Sequence, residues 1–225
     1  MLTVISSMAT RKVLAELATA YERKARVDVK VQSIGGVDAE RRVEAGEAFD
    51  LVVLAGAAID RLAAADRVRM DSLADVARSG MAVAVPAGAA RPDIATEQAL
   101  RNAVVRARRI GYSSGPSGTH LVRLIDRWGL AEMLTPRLLK APPGMPVAGL
   151  LARGEVDLGF QQCSELLDMP GIDVVGALPK EIQEITVFRG GVCNASGQPA
   201  KTRELLAWLT APETEPVKRR HGMEP

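Results

Sequence analysis

The chain has 225 residues, with 29 basic and 27 acidic side chains and a formal net charge of +2 at pH 7. Hydrophobic residues make up 47% of the chain and aromatic residues 3%, which is typical of one large globular domain or two small ones. The near-neutral charge and the few aromatic side chains exclude nucleic acid as the expected partner, because binding to phosphate backbones needs a basic surface.

Short apolar strands alternate with helical segments in the first eighty residues. The predicted strands are 2–6, 27–32 and 51–54, and the predicted helices are 13–21, 39–45 and 59–65. This β-α-β-α-β order is typical of a parallel sheet covered by helices. The longest apolar stretch, 51–59, is too short to span a bilayer, so no membrane insertion is expected.

The pattern changes at Gly80, where a second series of elements begins. It comprises strands 81–86, 109–112, 138–140, 157–161, 172–175 and 185–188, and helices 97–106, 119–128, 147–152 and 201–209. A Pro-rich tail, predicted to be frayed, follows. The two series predict two lobes, one formed by 1–80 with 188–225 and the other by 81–187. The strands near 81–86 and 184–190 are the expected crossings.

Four strand-to-helix junctions are rich in small and hydroxyl residues, and helix N-termini expose N–H groups that bind anions. The candidate ligand-binding residues at these junctions are Ser6, Ser7, Gly35, Gly36, Val37, Ser117, Gly118, Thr119, His120, Gly144 and Met145. Two glutamines, Gln161 and Gln162, follow a predicted strand, and one amide could face the ligand. Helix capping, by Ser6-Ser7 and by Ser117, is the structural alternative, and a solvent-facing loop is the alternative for the glutamines.

Motifs of nucleotide and metal chemistry do not occur in the sequence. It contains no Walker phosphate loop and no G-x-G-x-x-G, H-E-x-x-H, G-x-S-x-G or paired C-x-x-C motif. Cys163 and Cys193 lack metal-like spacing and are expected to be small buried thiols, and two histidines are too few for a metal site. The sequence therefore predicts no metal, no cofactor and no dedicated catalytic residue.

His120 follows Ser117 by three residues, which places its ring near the beginning of a predicted helix. The positive end of that helix disfavours imidazolium, so we expect a neutral ring at pH 7. Such a ring could pack inside its lobe, donate to a bound carboxylate, or act as a general base. The sequence leaves these three roles open.

Segments spread along the chain carry a family resemblance. They are VISS at 4–7, RVEAG at 42–46, FDLV at 49–52, RGEVDLG at 153–159, GALP at 176–179 and GMEP at 222–225. Together they resemble type II periplasmic solute-binding proteins of the molybdate-binding group. The resemblance implies an α/β fold of two lobes, each a mostly parallel sheet flanked by helices, joined by two hinge crossings.

The resemblance also implies particular ligand contacts. The first serine of the family matches Ser7, and its backbone donors fall near Ser117 or Gly118 and near Gly144 or Met145. The second family serine falls near Gly36 or Val37, and the family tyrosine falls on Gln162. Two side-chain donors have therefore changed, which favours another anion, such as a small carboxylate, over molybdate.

The function implied by the resemblance is capture of a small anion in the cleft between two lobes. The anion would be an oxyanion such as molybdate or a small di- or tricarboxylate, and the monomeric protein would deliver it to an ABC permease. Aconitate isomerase resembles the same group, so an isomerase of a small unsaturated tricarboxylate, using His120, is the alternative. The family is periplasmic; the chain starts with a strand pattern and shows no signal peptide, so a cytoplasmic ligand-sensing domain is a further alternative.

Overall fold

The computed structural model describes residues 1–142 and 144–225. Its strands are β1 (Leu2–Ser7), β2 (Val29–Ile34), β3 (Leu51–Ala55), β4 (Ala74–Pro86), β5 (Ile110–Tyr112), β6 (Leu138–Lys140), β7 (Leu158–Gln162), β8 (Ile172–Ala177) and β9 (Ile185–Val192). Its helices are α1 (Arg11–Ala25), α2 (Gly36–Glu44), α3 (Gly56–Ala64), α4 (Glu97–Arg106), α5 (Pro116–Arg127), α6 (Ala131–Leu134), α7 (Val147–Ala152), α8 (Cys163–Leu166), α9 (Pro199–Thr210) and α10 (Glu215–Arg220). Pro143, in one of the four predicted junctions, lies outside the described residues.

The chain divides into two compact units. Unit 1 comprises Met1–Ser79 and Thr186–Pro225, and unit 2 comprises Gly80–Ile185. The first division falls within β4 and the second at the beginning of β9. Each of these strands therefore contributes residues to both units.

Unit 1 is built on a mixed sheet with the strand order β2-β1-β3-β9-β4. The pairs of β1 with β2 and with β3 are parallel, because a helix returns the chain to the same end of the sheet after each strand. The pair of β3 with β9 is antiparallel. One face of the sheet packs against α1 and α9, and the other packs against α2 and α3.

Unit 2 has the strand order β4-β7-β5-β6, with β8 on the other side of β4. The pairs of β5 with β6 and with β7 are parallel, whereas β4 is antiparallel to both β7 and β8. Apolar residues of α4 and α5 cover one face, and those of α7 cover the other. In both units the carboxyl ends of the parallel strands lead into the predicted junctions.

The helix α1 shows how local sequence produces these layers. Its buried residues Val13, Leu14, Leu17, Ala18 and Tyr21 recur at the three- and four-residue spacing of one helical face. The helix ends where Arg26 adopts a left-handed conformation with a φ of 54°. The apolar periodicity therefore predicts this helix, although its ends extend beyond the periodic residues.

Two sequence-based expectations are wrong in detail. β4 begins seven residues before the predicted strand, because polar residues such as Asp75 and Arg78 hide its pairing pattern. The Pro-rich tail is ordered: it forms α10, and Glu224 exchanges backbone hydrogen bonds with Arg78 at 2.7 and 2.8 Å. Met223, which precedes Glu224, is 1% exposed, so burial of this side chain holds the C-terminal segment in place.

Candidate functional site

The serines that end β1 have different environments. Ser6 is fully buried, and its Oγ lies 2.8 Å from Oγ of Ser33, its neighbour in the β1–β2 register. Ser7 is 8% exposed, and its Oγ has no hydrogen-bond partner among the described residues. Neither serine makes the predicted cap of α1, because a short 3₁₀ turn intervenes and Thr10 Oγ1 donates to the Ser7 carbonyl at 3.1 Å.

The beginning of α2 lies against Ser7. A Cβ on Gly36, the first residue of the helix, would be 3.7 Å from Cβ of Ser7. Gly35 occupies the cap position and has no side chain to satisfy the first N–H groups. The next side chain, Val37, is 61% exposed. This part of unit 1 therefore combines an unsatisfied hydroxyl with the positive end of a nine-residue helix.

Asp38, the acidic residue in the first turn of α2, belongs to none of the motifs that predict a ligand contact. Its Oδ1 accepts a hydrogen bond from Arg41 at 2.8 Å. Its Oδ2 lies 3.3 Å from the place that a Cβ on Gly35 would take. The signal available in the sequence was an acidic residue two positions after the glycine pair, which is also a common way to stabilise a helix N-terminus.

The beginning of α5 differs from the prediction that Ser117 caps it. The helix begins at Pro116 after Gly115, so Ser117 lies inside the first turn. The buried Oγ of Ser117 is 2.9 Å from Oγ of Ser113, and Thr119, two residues later, is exposed. Gly118 approaches the preceding loop so closely that a Cβ would lie 1.8 Å from the Ser113 carbonyl oxygen. Only glycine fits at this position.

His120 is bound on both sides of its ring. Nε2 lies 2.7 Å from the Ile182 carbonyl oxygen, and Nδ1 lies 2.6 Å from the Glu184 carboxylate. A carbonyl and a carboxylate both accept hydrogen bonds, so both ring nitrogens face acceptor atoms of the protein itself. Arg123 lies 3.8 Å from the same carboxylate. Of the three roles left open, packing within the unit agrees best with these contacts.

The two adjacent glutamines are the last two residues of β7, and both are buried. Gln161 is 3% exposed; its Oε1 accepts from the Val147 N–H at 2.8 Å and its Nε2 donates to Glu165 at 2.7 Å. Its amide therefore supports the beginning of α7. Gln162 is 2% exposed and ends the strand. The alternative of a solvent-facing loop is wrong for both residues.

The junction before α7 contains a glycine with a positive φ. Gly144 has a φ of 77°, a conformation that glycine adopts without strain. Met145 is partly buried and contacts Arg153 through its sulfur, at 2.8 Å from Nη2. The first turn of α7 is therefore reached through a turn that the sequence encodes with glycine and proline.

The thiols and the acidic groups show no arrangement for metal chemistry. Residues 1–142 and 144–225 contain no group of three or more His, Cys, Asp or Glu side chains suited to hold a metal ion. Burial raises the pKa of Cys193 to about 12, with a smaller contribution from the Asp50 charge, and burial also raises the pKa of Cys163. Cys193 is the buried thiol that was expected, whereas Cys163 is partly exposed. Both thiols are thus poor metal ligands and nucleophiles at neutral pH.

A family model for bacterial extracellular solute-binding proteins matches residues 2–224. The chain belongs to this family. A curated relative of this solute-binding protein, named aconitate isomerase from a Pseudomonas species, is 34% identical over 232 aligned positions, which cover 100% of this chain and 87% of the relative.

Two solved structures share the fold of this solute-binding protein. The periplasmic molybdate-binding protein of Azotobacter vinelandii is 18% identical with a TM-score of 0.84, covering 100% of this chain and 99% of the other. The tungstate ABC transporter protein of Geobacter sulfurreducens is 15% identical with a TM-score of 0.72, covering 96% of each chain. These findings confirm the family resemblance and the type II periplasmic-binding-protein fold. In the described part of the chain, no helix is both long and apolar enough to cross a bilayer.

Proposed function

We propose that this solute-binding protein binds a small anion at Ser7 and the beginning of α2. The observation that carries the proposal is the buried Ser7 hydroxyl, which has no partner in the described chain and lies beside Gly36. A buried polar group without a hydrogen bond costs about 1–3 kcal/mol, so a ligand oxygen at this place would recover that free energy. The first N–H groups of α2 are donors suited to the same negative charge.

The proposal also places ligand contacts in unit 2. Pro116 has no N–H, so Ser117 and Gly118 supply the first backbone donors of α5. The proposed contact residues in this unit are Ser117, Gly118, Thr119, Gly144, Met145 and Gln162. Ser6, His120 and Gln161 already have polar groups bound within the protein, so we assign them to supporting these neighbours.

We infer that the anion is an organic carboxylate. Gly36 and Val37 have no hydroxyl where the molybdate-binding group has a serine, and Gln162 stands where that group has a tyrosine. The 34% identity with a relative named for aconitate supports the same class. Backbone N–H groups and one hydroxyl can bind a carboxylate without a full counter-charge.

The test is a thermal unfolding series with molybdate, tungstate, sulfate, phosphate, citrate and aconitate. A ligand present at about 100 times its dissociation constant stabilises the folded protein by about 2.7 kcal/mol. We expect the carboxylates to raise the unfolding midpoint most. If neutral sugars raise it while none of the anions does, the proposal is wrong.

One variant in each unit tests the proposed contacts. Ser7→Ala and Ser117→Ala should each weaken binding of a carboxylate, since each residue is a proposed ligand contact in its own unit. The matched controls are Thr19→Ala in unit 1 and Thr135→Ala in unit 2. Both residues are exposed; Thr19 donates to Ala15 within α1, and Thr135, which follows α6, donates to Ala131. Equal affinity in Ser7→Ala and Thr19→Ala would remove Ser7 from the site.

Catalysis of aconitate isomerisation is the second candidate function, favoured by the identity with the Pseudomonas relative. The reaction would move a proton between carbons of a bound tricarboxylate, and it is followed directly by proton NMR of cis- and trans-aconitate. If neither isomer converts in the presence of protein that binds them, the protein is a binder only. His120→Gln should keep any activity found, because both ring nitrogens already face protein acceptors.

We also propose that the protein acts as a monomer outside the cytoplasm and delivers its ligand to an ABC permease. The family description supports the place outside the cytoplasm, and the tungstate ABC transporter structure supports the permease as partner. Size-exclusion chromatography with light scattering should give a mass near the 23.9 kDa of one chain. Cell fractionation of the native gene product should find it in the periplasm, and recovery in the cytoplasm alone would favour ligand sensing.

A further inference from the structure

The carboxylate of Asp38 lies in the first turn of α2, at the same end of the helix as Ser7. Asp38 is the third residue of the helix, Ser7 lies against the first, and Asp38 Oδ2 lies beside Gly35 just before the helix. Arg41 binds the other oxygen, Oδ1, at 2.8 Å and thereby orients the carboxylate. In the described part of the chain, Oδ2 has no hydrogen-bond partner, and the Asp38 side chain is 36% exposed.

An ionised carboxylate accepts hydrogen bonds and donates none. A fully ionised oxyanion such as molybdate or sulfate also presents only acceptors, so its oxygens would face Asp38 Oδ2 without a proton between them. Arg41 offsets part of the negative charge, but this side chain is 73% exposed and its attraction is screened by water. The first turn of α2 therefore presents both donors and one acceptor.

We propose that Asp38 determines specificity, and that it selects an organic acid with a hydrogen-bond donor beside its carboxylate. The ligand carboxylate accepts hydrogen bonds from Ser7 and the N–H groups of α2, and the ligand donor binds Asp38 Oδ2. The donor is a hydroxyl or an ammonium group, and aconitate, which has neither, should bind less tightly than a hydroxy acid such as citrate. This inference rests on the proposed anion site and adds the chemical class of its ligand.

Three four-carbon dicarboxylates test the proposal by isothermal titration calorimetry with the full chain at pH 7.5. Malate carries a hydroxyl, aspartate carries an ammonium, and succinate carries neither. A hydrogen bond to a charged group changes affinity about 10- to 100-fold, so malate or aspartate should bind that much more tightly than succinate. The pair citrate and propane-1,2,3-tricarboxylate repeats the comparison for tricarboxylates. If malate binds more tightly than aspartate, the ligand donor is a hydroxyl; if aspartate binds more tightly, the donor is an ammonium group.

Asp38→Asn is the decisive variant, because Arg41 holds the amide oxygen at the Oδ1 position and the amide NH₂ group, a donor, then takes the place of Oδ2. It should reduce the preference for the donor-bearing acid to less than about threefold and should strengthen sulfate or molybdate binding. Arg41→Gln is the matched control: it breaks the same ion pair but keeps the carboxylate, so the preference should persist. Asp38→Ser, which also lacks the charge, repeats the test if the asparagine variant folds poorly.

The outcomes separate this inference from the proposed function. If several anions bind, and Ser7→Ala weakens them, but malate, aspartate and succinate bind equally to the wild type, the role of Asp38 is overturned and the anion site stands. The role is also overturned if Asp38→Asn keeps the wild-type preference. If no anion binds and Ser7→Ala changes nothing, the proposed function itself is wrong.

Discussion

Ser7 and Asp50 show two ways in which this protein uses a buried polar side chain. Each is 8% exposed, but Ser7 Oγ lacks a hydrogen-bond partner in the described residues, whereas both carboxylate oxygens of Asp50 accept hydrogen bonds. Asp50 Oδ2 accepts from the N–H and the hydroxyl of Thr3 at 2.8 and 2.9 Å, and Oδ1 accepts from Ser196 at 2.6 Å. The satisfied group holds the structure together, and the unsatisfied one is the group that we propose binds a ligand.

Asp50 should make the stability of the protein depend on acid pH. Burial raises the pKa of Asp50, but the hydrogen bonds from Ser196 and Thr3 outweigh it and leave the pKa below its ordinary value. A lowered folded-state pKa stabilises the protein above the unfolded value of about 4, and this stabilisation is lost as the pH falls through the folded-state value.

Asp50→Asn should therefore lower the free energy of unfolding by about 1–3 kcal/mol at pH 7, because buried donors lose a charged acceptor. The difference from wild type should shrink as the pH falls below about 4, where the wild-type carboxyl also loses its charge. Urea unfolding at several pH values measures it. Asp28→Asn, on an exposed residue next to the same sheet, is the control, and an equal effect there would contradict the assignment.

His120 and Glu184 should stabilise unit 2 as a coupled pair. The single variants His120→Ala and Glu184→Ala each break the 2.6 Å contact, so the double variant should cost less than the sum of the two. A coupling of about 0.5–3 kcal/mol is expected for side chains in direct contact. The same double-mutant cycle for Arg123 and Glu184 should give a much smaller coupling energy, because the two charged groups lie 3.8 Å apart and the arginine is exposed. Equal coupling in both cycles would show that His120 has no special role.

At the scale of elements, the junctions depend on how closely a helix approaches the preceding loop. α5 begins against the Ser113 carbonyl because Gly118 has no side chain, whereas α2 begins beside Ser7 at a distance where a Cβ on Gly36 would make an ordinary contact of 3.7 Å. α5 does not use the Ser117 cap that the sequence suggests, and α2 has Gly35 at its cap position. Their first N–H groups therefore remain available to an anion instead of being bound by a side chain of the protein.

Gly118→Ala should damage the beginning of α5. The new methyl group would lie 1.8 Å from the Ser113 carbonyl oxygen, so the backbone has to move, at a cost of about 1–3 kcal/mol. We expect a lower thermal unfolding midpoint and weaker binding of the carboxylate. Gly197→Ala is the matched control because no atom lies within 4 Å of its added Cβ, and a similar loss in that variant would contradict the steric explanation.

At the scale of the whole molecule, unit 1 is completed by the last residues of the chain. Met223 packs in the same apolar cluster as Leu2, Leu14 and Leu205, which come from β1, α1 and α9. Both chain ends therefore lie in unit 1, while unit 2 is formed by one continuous segment. The C-terminal segment is part of the core although its sequence is rich in proline and charge.

Met223→Ala should lower the free energy of unfolding of the protein by about 2–5 kcal/mol, because it leaves a cavity beside β1 and α9. Denaturant unfolding followed by circular dichroism measures this loss. Met70→Ala should change stability by less than about 0.5 kcal/mol, since Met70 is 74% exposed. A small effect for Met223→Ala would mean that the C-terminal segment is dispensable for unit 1.

The sequence by itself determined the order of strands and helices and, through its resemblance, the fold. Periods of two and 3.6 residues record which face of an element is buried, and the boundaries of α4 and α7 agree with the periodic residues. Gly80 also marked the change between the two series, because composition and periodicity shift there within a few residues. These features depend only on residues that are neighbours in the sequence, so they can be predicted without the tertiary structure.

Only the tertiary structure decided which polar side chains form hydrogen bonds within the protein. Ser6 is engaged by Ser33 while Ser7 is not, and Gln161 is engaged by Val147 on another element. His120 finds its partners about sixty residues away, at Ile182 and Glu184. Adjacent residues on a strand point to opposite faces, and their partners come from segments that meet only when the sheet register is set. Local sequence therefore indicates where polar groups gather, whereas long-range packing determines which of them remain for a ligand.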